Sequence, residues 1–333
     1  MGWSYRGTVY KLTHTDAGWV LTQLHLFSGF DGINPASRVI IGPDGALYGN
    51  TGAGGNGYGT VYRLQAPASC RTGNCPWTET ILYAFQHGSD GAGPGGDLTF
   101  DQQGNIYGTA GGGPPGGSCN GTCGVVYKLS RSGGSWTYNV IYAFQGDDDG
   151  DGPNGGVVID ASGNLYGTTA AGGRDRFGTI FKLTPSGSGW TESIIYNFAN
   201  NGDGATPVAG LILDHAGNLY GAALQGGEYG AGTVYELNTA GGSFSVLASL
   251  PYPAGQGSYS KLAMDANGNL YGTAWLGNVF KLTRSGNSWI LTDLGVGNLG
   301  MTCSLVVDSD GVVHGTDPDG GTYSLGSVFE IVQ

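Results

Sequence analysis

"NLYGTTAAGGRDRFGTIFKLTPSGSGW", residues 164–190, decides the fold. It reads as a short run of apolar and aromatic residues, a glycine-rich turn, a second such run, another turn, and a tryptophan opening a third. Each run is rich in β-branched and aromatic residues and bounded by turn chemistry, so each reads as a strand. Working outward, the same phrases recur along the chain.

G-T-V-Y-K-L appears seven times, at Gly7–Leu12, Gly59–Leu64, Gly124–Leu129, Gly178–Leu183, Gly232–Leu237, Gly277–Leu282 and Gly326–Ile331. L-Y-G-T is centred on Tyr48, Tyr107, Tyr166, Tyr220 and Tyr271, with His314 in the tyrosine position of the last copy. An apolar run ending in Asp precedes it, as in "VVID" at 157–160 and "LILD" at 211–214. A fourth phrase opens on an aromatic residue and alternates, as in "WTETILYAF" and "WTESIIYNF". We call these strands b, c (G-T-V-Y-K-L), a (apolar-Asp) and d (aromatic-initiated), in the chain order a-b-c-d. No segment has a sustained helical period with caps.

Four strands per unit of roughly 45 to 65 residues is the pattern of propeller blades. The expected architecture is an all-β, six-bladed propeller with four strands per blade. Seven blades, one incomplete, is the alternative. Counted from strand c, the units are 7–58, 59–123, 124–177, 178–231, 232–276 and 277–331. The last unit lacks a d strand, and the N-terminus offers a spare c and d. The simplest closure sets that d beside the last c. The spare c is then an extra strand, part of a truncated seventh blade, or a strand offered to a neighbouring molecule.

Glycine is abundant, 67 of 333 residues, and falls between the strands, where it makes turns. Charged residues are only 11% of the chain and the net charge is -12. With 13 scattered Lys and Arg, nucleic acid is excluded as a generic partner. No apolar run reaches the roughly 18 residues of a membrane span. The opening "MGWSYRGTVYKL" lacks a signal-peptide core, so either a leader was removed or the chain is cytosolic. The cysteines argue against the second. Cys70 and Cys75 flank "RTGN", and Cys119 and Cys123 flank "NGT", which predicts two local disulfides and an oxidising compartment. Zinc is the rival reading, but no histidine lies near either pair in sequence. Cys303 is read as a buried free thiol.

The repeats L-Y-G-T-T-x-x-G-G and G-T-I-F-K-L-T-P-S-G resemble the GloVer tandem repeat, named for Gloeobacter and Verrucomicrobia, almost letter for letter over 164–187. The resemblance covers most of the chain and weakens in the last two units. It implies a bacterial, extracytoplasmic propeller-like protein. It implies no particular chemistry, and the sorting signal often found at the C-terminus of such proteins is not seen.

Strand direction alternates within a blade, so b–c and d–a loops share one face. These are the variable loops, and scaffold-mounted variable loops are where binding is expected. The d–a loops repeat an Asp-Gly-x-x-Pro pattern that carries Asp31, Asp90, Asp149 or Asp151, and Asp203. One reading is a turn closed by Asp-Gly and Pro. The other is a cation site, strongest at Asp147, Asp149 and Asp151, whose carboxylate density suits calcium. On the b–c loops, Tyr58, Arg174, Arg176, Phe177, Tyr229, Trp275 and Tyr323 are candidate ligand contacts, since aromatic rings beside polar groups suit sugars.

No catalytic motif is present. The acidic residues Asp175, Glu228, Asp317 and Asp319 are the candidates for a glycosidase pair, and His314 for a base. A polysaccharide lyase is the other enzymatic form. The favoured function is a secreted or cell-surface binding module for a glycan or surface partner. A carbohydrate-active enzyme is the alternative, and a structural protein linked by strand addition a further one.

Overall fold

The computed structural model describes residues 6–35, 37–69, 75–115, 117–119, 122–251, 257–258, 260–274, 278–295, 305–317 and 326–332. The protein is all-β, a β-propeller whose six blades follow the repeats. No helix occurs among the described residues, so none is long and apolar enough to cross a membrane. The chain divides into two compact units, Met1–Phe144 and Gln145–Gln333.

The first unit opens with a two-stranded hairpin, β1 (Thr8–Thr15) and β2 (Gly18–Leu26), which are the spare c and d copies. Blade 1 follows, with β3 (Ile33–Pro35) and β4 (Ile40–Ile41) both paired to β5 (Leu47–Ala53), then β6 (Thr60–Gln65) and β7 (Thr78–Ala84). Blade 2 is β8 (Thr99–Phe100), β9 (Ile106–Ala110), β10 (Val125–Ser132) and β11 (Ser135–Ala143).

The second unit holds four blades. Blade 3 is β12 (Val157–Ile159), β13 (Leu165–Thr169), β14 (Thr179–Ser186) and β15 (Gly189–Asn197). Blade 4 is β16 (Ile212–Leu213), β17 (Asn218–Ala223), β18 (Thr233–Asn238) and β19 (Phe244–Ser249). Blade 5 is β20 (Ala263–Met264), β21 (Leu270–Ala274), β22 (Asn278–Ser285) and β23 (Ser288–Asp293). Blade 6 is β24 (Leu305–Val307), β25 (Val313–Asp317) and β26 (Ser327–Ile331), three-stranded among the described residues. All ladders are antiparallel, in the order a-b-c-d.

The register explains the repeat. The glycine of L-Y-G-T faces the aromatic residue of strand c across the ladder: Gly167 with Phe181, Gly221 with Tyr235, Gly272 with Phe280. A Cβ at each of these glycines would overlap that ring. The repeat tyrosines are buried, and in blades 1, 2, 3 and 5 a strand-c cation lies over the ring, as with Lys182 over Tyr166 at 5.7 Å and Lys281 over Tyr271 at 5.3 Å, while in blade 4 Glu236 accepts from the Tyr220 hydroxyl instead. A bulge in strand d recurs opposite the strand-c aromatic, between Val61 and Tyr62, Val126 and Tyr127, Ile180 and Phe181, and Val234 and Tyr235.

The a–b turns are closed by one aspartate each. In blade 3, Asp160 accepts from the amides of Ser162 and Asn164, from Asn164 Nδ2, and from Tyr166 OH at 3.0 Å. Asp214 and Asp265 do the same in blades 4 and 5. Burial opposes ionisation of these carboxylates, yet the hydrogen bonds outweigh it and hold all three below the usual value.

Cys119 and Cys123 are disulfide-bonded, and so is Cys75. Cys70 and Cys303 lie outside the described residues.

Candidate functional site

The loop face is built from the d–a and b–c loops, zipped together where the chain enters a blade. Ala92 bridges Gly111 in blade 2, Asp151 bridges Ala171 in blade 3, and Ala205 bridges Gln225 in blade 4. The aspartate of each Asp-Gly-x-x-Pro closes its own turn. Asp31 accepts from the Ser28 and Gly29 amides, Asp90 from Gln86, Asp149 from Gln145 and Gly146, and Asp203 from Ala199 and Asn201. Tyr83 OH also donates to Asp90, and Tyr196 OH to Asp203.

The residue before the proline takes a left-handed backbone: φ is 56° at Asn34, 57° at Gly93 and 56° at Thr206. That turns its amide back to the preceding blade. Asn34 donates to the Arg6 carbonyl, Gly93 to the Tyr58 carbonyl at 2.8 Å, and Thr206 to the Phe177 carbonyl at 2.9 Å. The proline then packs on the glycine that starts strand c of the preceding blade: Pro94 on Gly59, Pro207 on Gly178. A side chain at either glycine would strike the proline ring. The motif is therefore a staple between consecutive blades, and its acceptor residue carries a side chain that the staple does not use.

The residue before that glycine is Arg6, Tyr58, Cys123, Phe177 and Ala231 in the first five copies. Tyr58 is 40% exposed and Phe177 37%. Tyr58 also leans on His87, with ring centroids 4.7 Å apart. Tyr229 is exposed two residues before Ala231. Phe30, almost entirely exposed, stands beside Asp31 on a d–a loop. Reading the sequence missed it, because a single aromatic in a turn carries no periodic signal. Arg174, anchored by its amide to Asn197, pairs with Asp175 at 3.4 Å, and Arg176 has a left-handed φ of 65°. The Glu228 amide donates to Ser249 Oγ.

The other candidates lie elsewhere. His314 Nε2 is 3.0 Å from Asp308 Oδ2, so it takes the bond that the repeat tyrosine makes in blades 3, 4 and 5. Asp317 is buried and faces Ser327 across the ladder, the position of Thr169 opposite Thr179 in blade 3. Trp275, Tyr323 and Asp319 fall outside the described residues. In the acidic loop, the Asp147 carbonyl accepts from Gly173, and Asp149 closes the turn. Asp151 is raised above the usual carboxylate value by burial and, after a lowering backbone bond, by the Asp149 charge.

One further grouping lies where the d strands of the hairpin and blade 1 meet. His25, Asp31 and Glu79 bring one ligand atom each to within 4.8 Å of the others.

Residues 115–329 match the Gloeobacter/Verrucomicrobia repeat. The chain belongs to this family. No curated protein matches it. Among solved structures it is similar to a putative 6-phosphogluconolactonase from Bacteroides uniformis, at 14% identity and a TM-score of 0.59, over 98% of this chain and 95% of that one. A putative 6-phosphogluconolactonase from Bacteroides fragilis is similar at 17% identity and a TM-score of 0.59, over 98% and 92%. A putative oxidoreductase (glucose dehydrogenase) from Thermus thermophilus is similar at 16% identity and a TM-score of 0.51, over 90% and 96%. At these identities the likeness concerns the fold. In this Gloeobacter/Verrucomicrobia repeat protein, the loop backbone is constant from blade to blade while the side chains mounted on it change.

Proposed function

We propose that the protein is an extracytoplasmic binding module that uses its loop face to hold a glycan or a cell-surface partner. One observation carries the reading. A backbone bond that recurs between consecutive blades presents a different side chain each time, and two of these, Tyr58 and Phe177, are exposed aromatic rings. A rigid mount with a variable, amphipathic side chain is how a scaffold supplies contact area at low entropic cost. Rings stack on pyranose faces, and Arg174, Arg176 and the amide-rich turns offer donors for hydroxyls. The disulfides support an oxidising location.

Calcium at Asp147, Asp149 and Asp151 belongs to the same proposal. Asp149 and Asp151 are close enough for the charge of one to raise the other. A calcium titration followed by calorimetry, with Asp151→Asn as control, tests it.

The enzymatic alternative rests on the lactonase and dehydrogenase names of proteins sharing the fold, and on the acidic candidates. Asp175 is ion-paired to Arg174, and Asp317 sits in a ladder position. Neither placement favours a catalytic pair.

The test is a glycan array probed with the whole protein and with Tyr58→Ala, Phe177→Ala and Tyr229→Ala variants. Binding that drops about tenfold or more per ring removed supports the proposal, in line with base–aromatic and interface rings worth about 1–3 kcal/mol. Glycan turnover instead of retention would establish the enzyme. Binding unchanged in all three variants places recognition on another surface.

A further inference from the structure

Where blades abut within a unit, two d-strand side chains meet. One stands two residues before the closing aromatic: His25, Tyr83 and Tyr196 precede Phe27, Phe85 and Phe198. The other faces the strand-c leucine: Glu79 opposite Leu64, Tyr138 opposite Leu129, Phe244 opposite Leu237. Between blades 1 and 2 the two are stacked rings, Tyr83 on Tyr138, 3.8 Å apart and 8° from parallel. Between blades 3 and 4 they are Tyr196 on Phe244, with the same spacing and tilt. Between the hairpin and blade 1 they are His25 and Glu79, and the d–a aspartate, Asp31, joins them.

The replacement is a ligand set. His25 Nε2 is 3.1 Å from Asp31 Oδ2 and 3.6 Å from Glu79 Oε2. Zinc bonds to nitrogen and oxygen are about 2.0–2.2 Å long, which sets neighbouring donors roughly 3–3.6 Å apart. The three side chains are only 15%, 17% and 12% exposed. Asp31 is held in place. Its Oδ1 accepts from the Ser28 amide and hydroxyl and from the Gly29 amide, and its carbonyl accepts from Thr60 Oγ1, leaving Oδ2 turned to the histidine. Glu79 Oε1 is buried with no hydrogen-bond partner. No Lys or Arg pairs with either carboxylate among the described residues. Two sheltered carboxylates converging on one imidazole make a donor set for a divalent cation, and the imidazole nitrogen favours a zinc-class ion over calcium.

We propose that His25, Asp31 and Glu79 bind one zinc-class divalent cation, a clip that fastens the N-terminal hairpin to blade 1. The three side chains leave a fourth position to water. Glu192 occupies the Glu79 position in blade 3 and also has a buried, unpartnered Oε1, but no histidine is grouped with it among the described residues. Glu192 is therefore the internal control.

The test uses the whole protein stripped by a chelator and titrated with zinc chloride by calorimetry, with melting temperature followed in parallel. The expected result is one high-affinity ion per chain and a melting temperature that rises with zinc, because a ligand of the folded state stabilises it by mass action. Glu79→Gln, which keeps the shape, and His25→Phe should each weaken binding at least about tenfold, and Glu192→Gln should leave it unchanged. The double variant His25→Tyr with Glu79→Tyr rebuilds the stacked pair of the next contact, and should fold without zinc and melt independently of it. A wild-type protein that takes up no zinc overturns the proposal. So does a Glu79→Gln variant that titrates like wild type.

Discussion

Gly221 lies directly across the ladder from Tyr235, whose ring fills the space a side chain at 221 would need. Gly221→Ala should therefore destabilise the fold by about 1–3 kcal/mol, the usual cost of overpacking. Gly189→Ala meets nothing closer than the Ser186 carbonyl at 4.0 Å and should be neutral or mildly stabilising. Urea unfolding of the two variants side by side checks the contrast.

The Tyr235 hydroxyl is buried with no hydrogen-bond partner, and blades 3 and 5 have Phe181 and Phe280 in the same place. Tyr235→Phe removes a desolvated polar group at no loss of packing. It should raise stability by up to about 1 kcal/mol, read as a shift in the denaturation midpoint with unchanged slope.

Asp160 gathers four donors in one turn. Asp160→Ala leaves Asn164 and Tyr166 without their acceptor and should cost about 1–3 kcal/mol. Asp160→Asn should cost less, since one oxygen is kept. Thermal melts of both variants test the ordering.

Glu192 is pushed up to about 7 by burial, with the Asp149 charge adding to it. The folded protein thus holds this proton more tightly than the unfolded chain. Its contribution to stability is full below the ordinary glutamate value of 4.5 and is lost as pH rises to about 7. Asp160, Asp214 and Asp265 act in the opposite sense, their contribution being present above 3.8 and lost as pH falls below it. Melting temperature should peak in mild acid, and Glu192→Gln should flatten its fall between about pH 4.5 and 7.

The Cys119–Cys123 disulfide closes a very short loop, with a sequence separation of 4. On the chain-entropy account such a loop adds only about 2 kcal/mol. Cys119→Ser with Cys123→Ser should lower stability by no more than that and leave the blade intact by circular dichroism.

Much of the fold was legible because its signals are local. The strand-d aromatic, the apolar run ending in Asp and the G-T-V-Y-K-L run each declare themselves within ten residues. What the turn aspartate bonds to was half visible: its backbone acceptor role follows from turn chemistry, but the Tyr166 hydroxyl six residues on does not. The site was less legible. Asp-Gly-x-x-Pro could be read as a turn, yet its bond from Thr206 to Phe177 joins two repeats and depends on how blades abut. His25 and Glu79 meet for the same reason, and no spacing rule within one repeat brings them together. His314 stood out as an exception in the alphabet of the repeat, and the structure gives it the bond of the tyrosine it replaces.

The staple from each Asp-Gly-x-x-Pro loop has a consequence for how such a chain can grow. A copy that has this loop carries both halves of the joint: a donor that reaches back, such as Thr206, and an acceptor with its glycine seat that awaits the next copy, such as Phe177 and Gly178. A duplication of one whole repeat would therefore bring its own fastening at both ends and orphan none. Copy number can drift by integral steps while the joint chemistry stays the same, and each new copy arrives with one fresh outward side chain to vary.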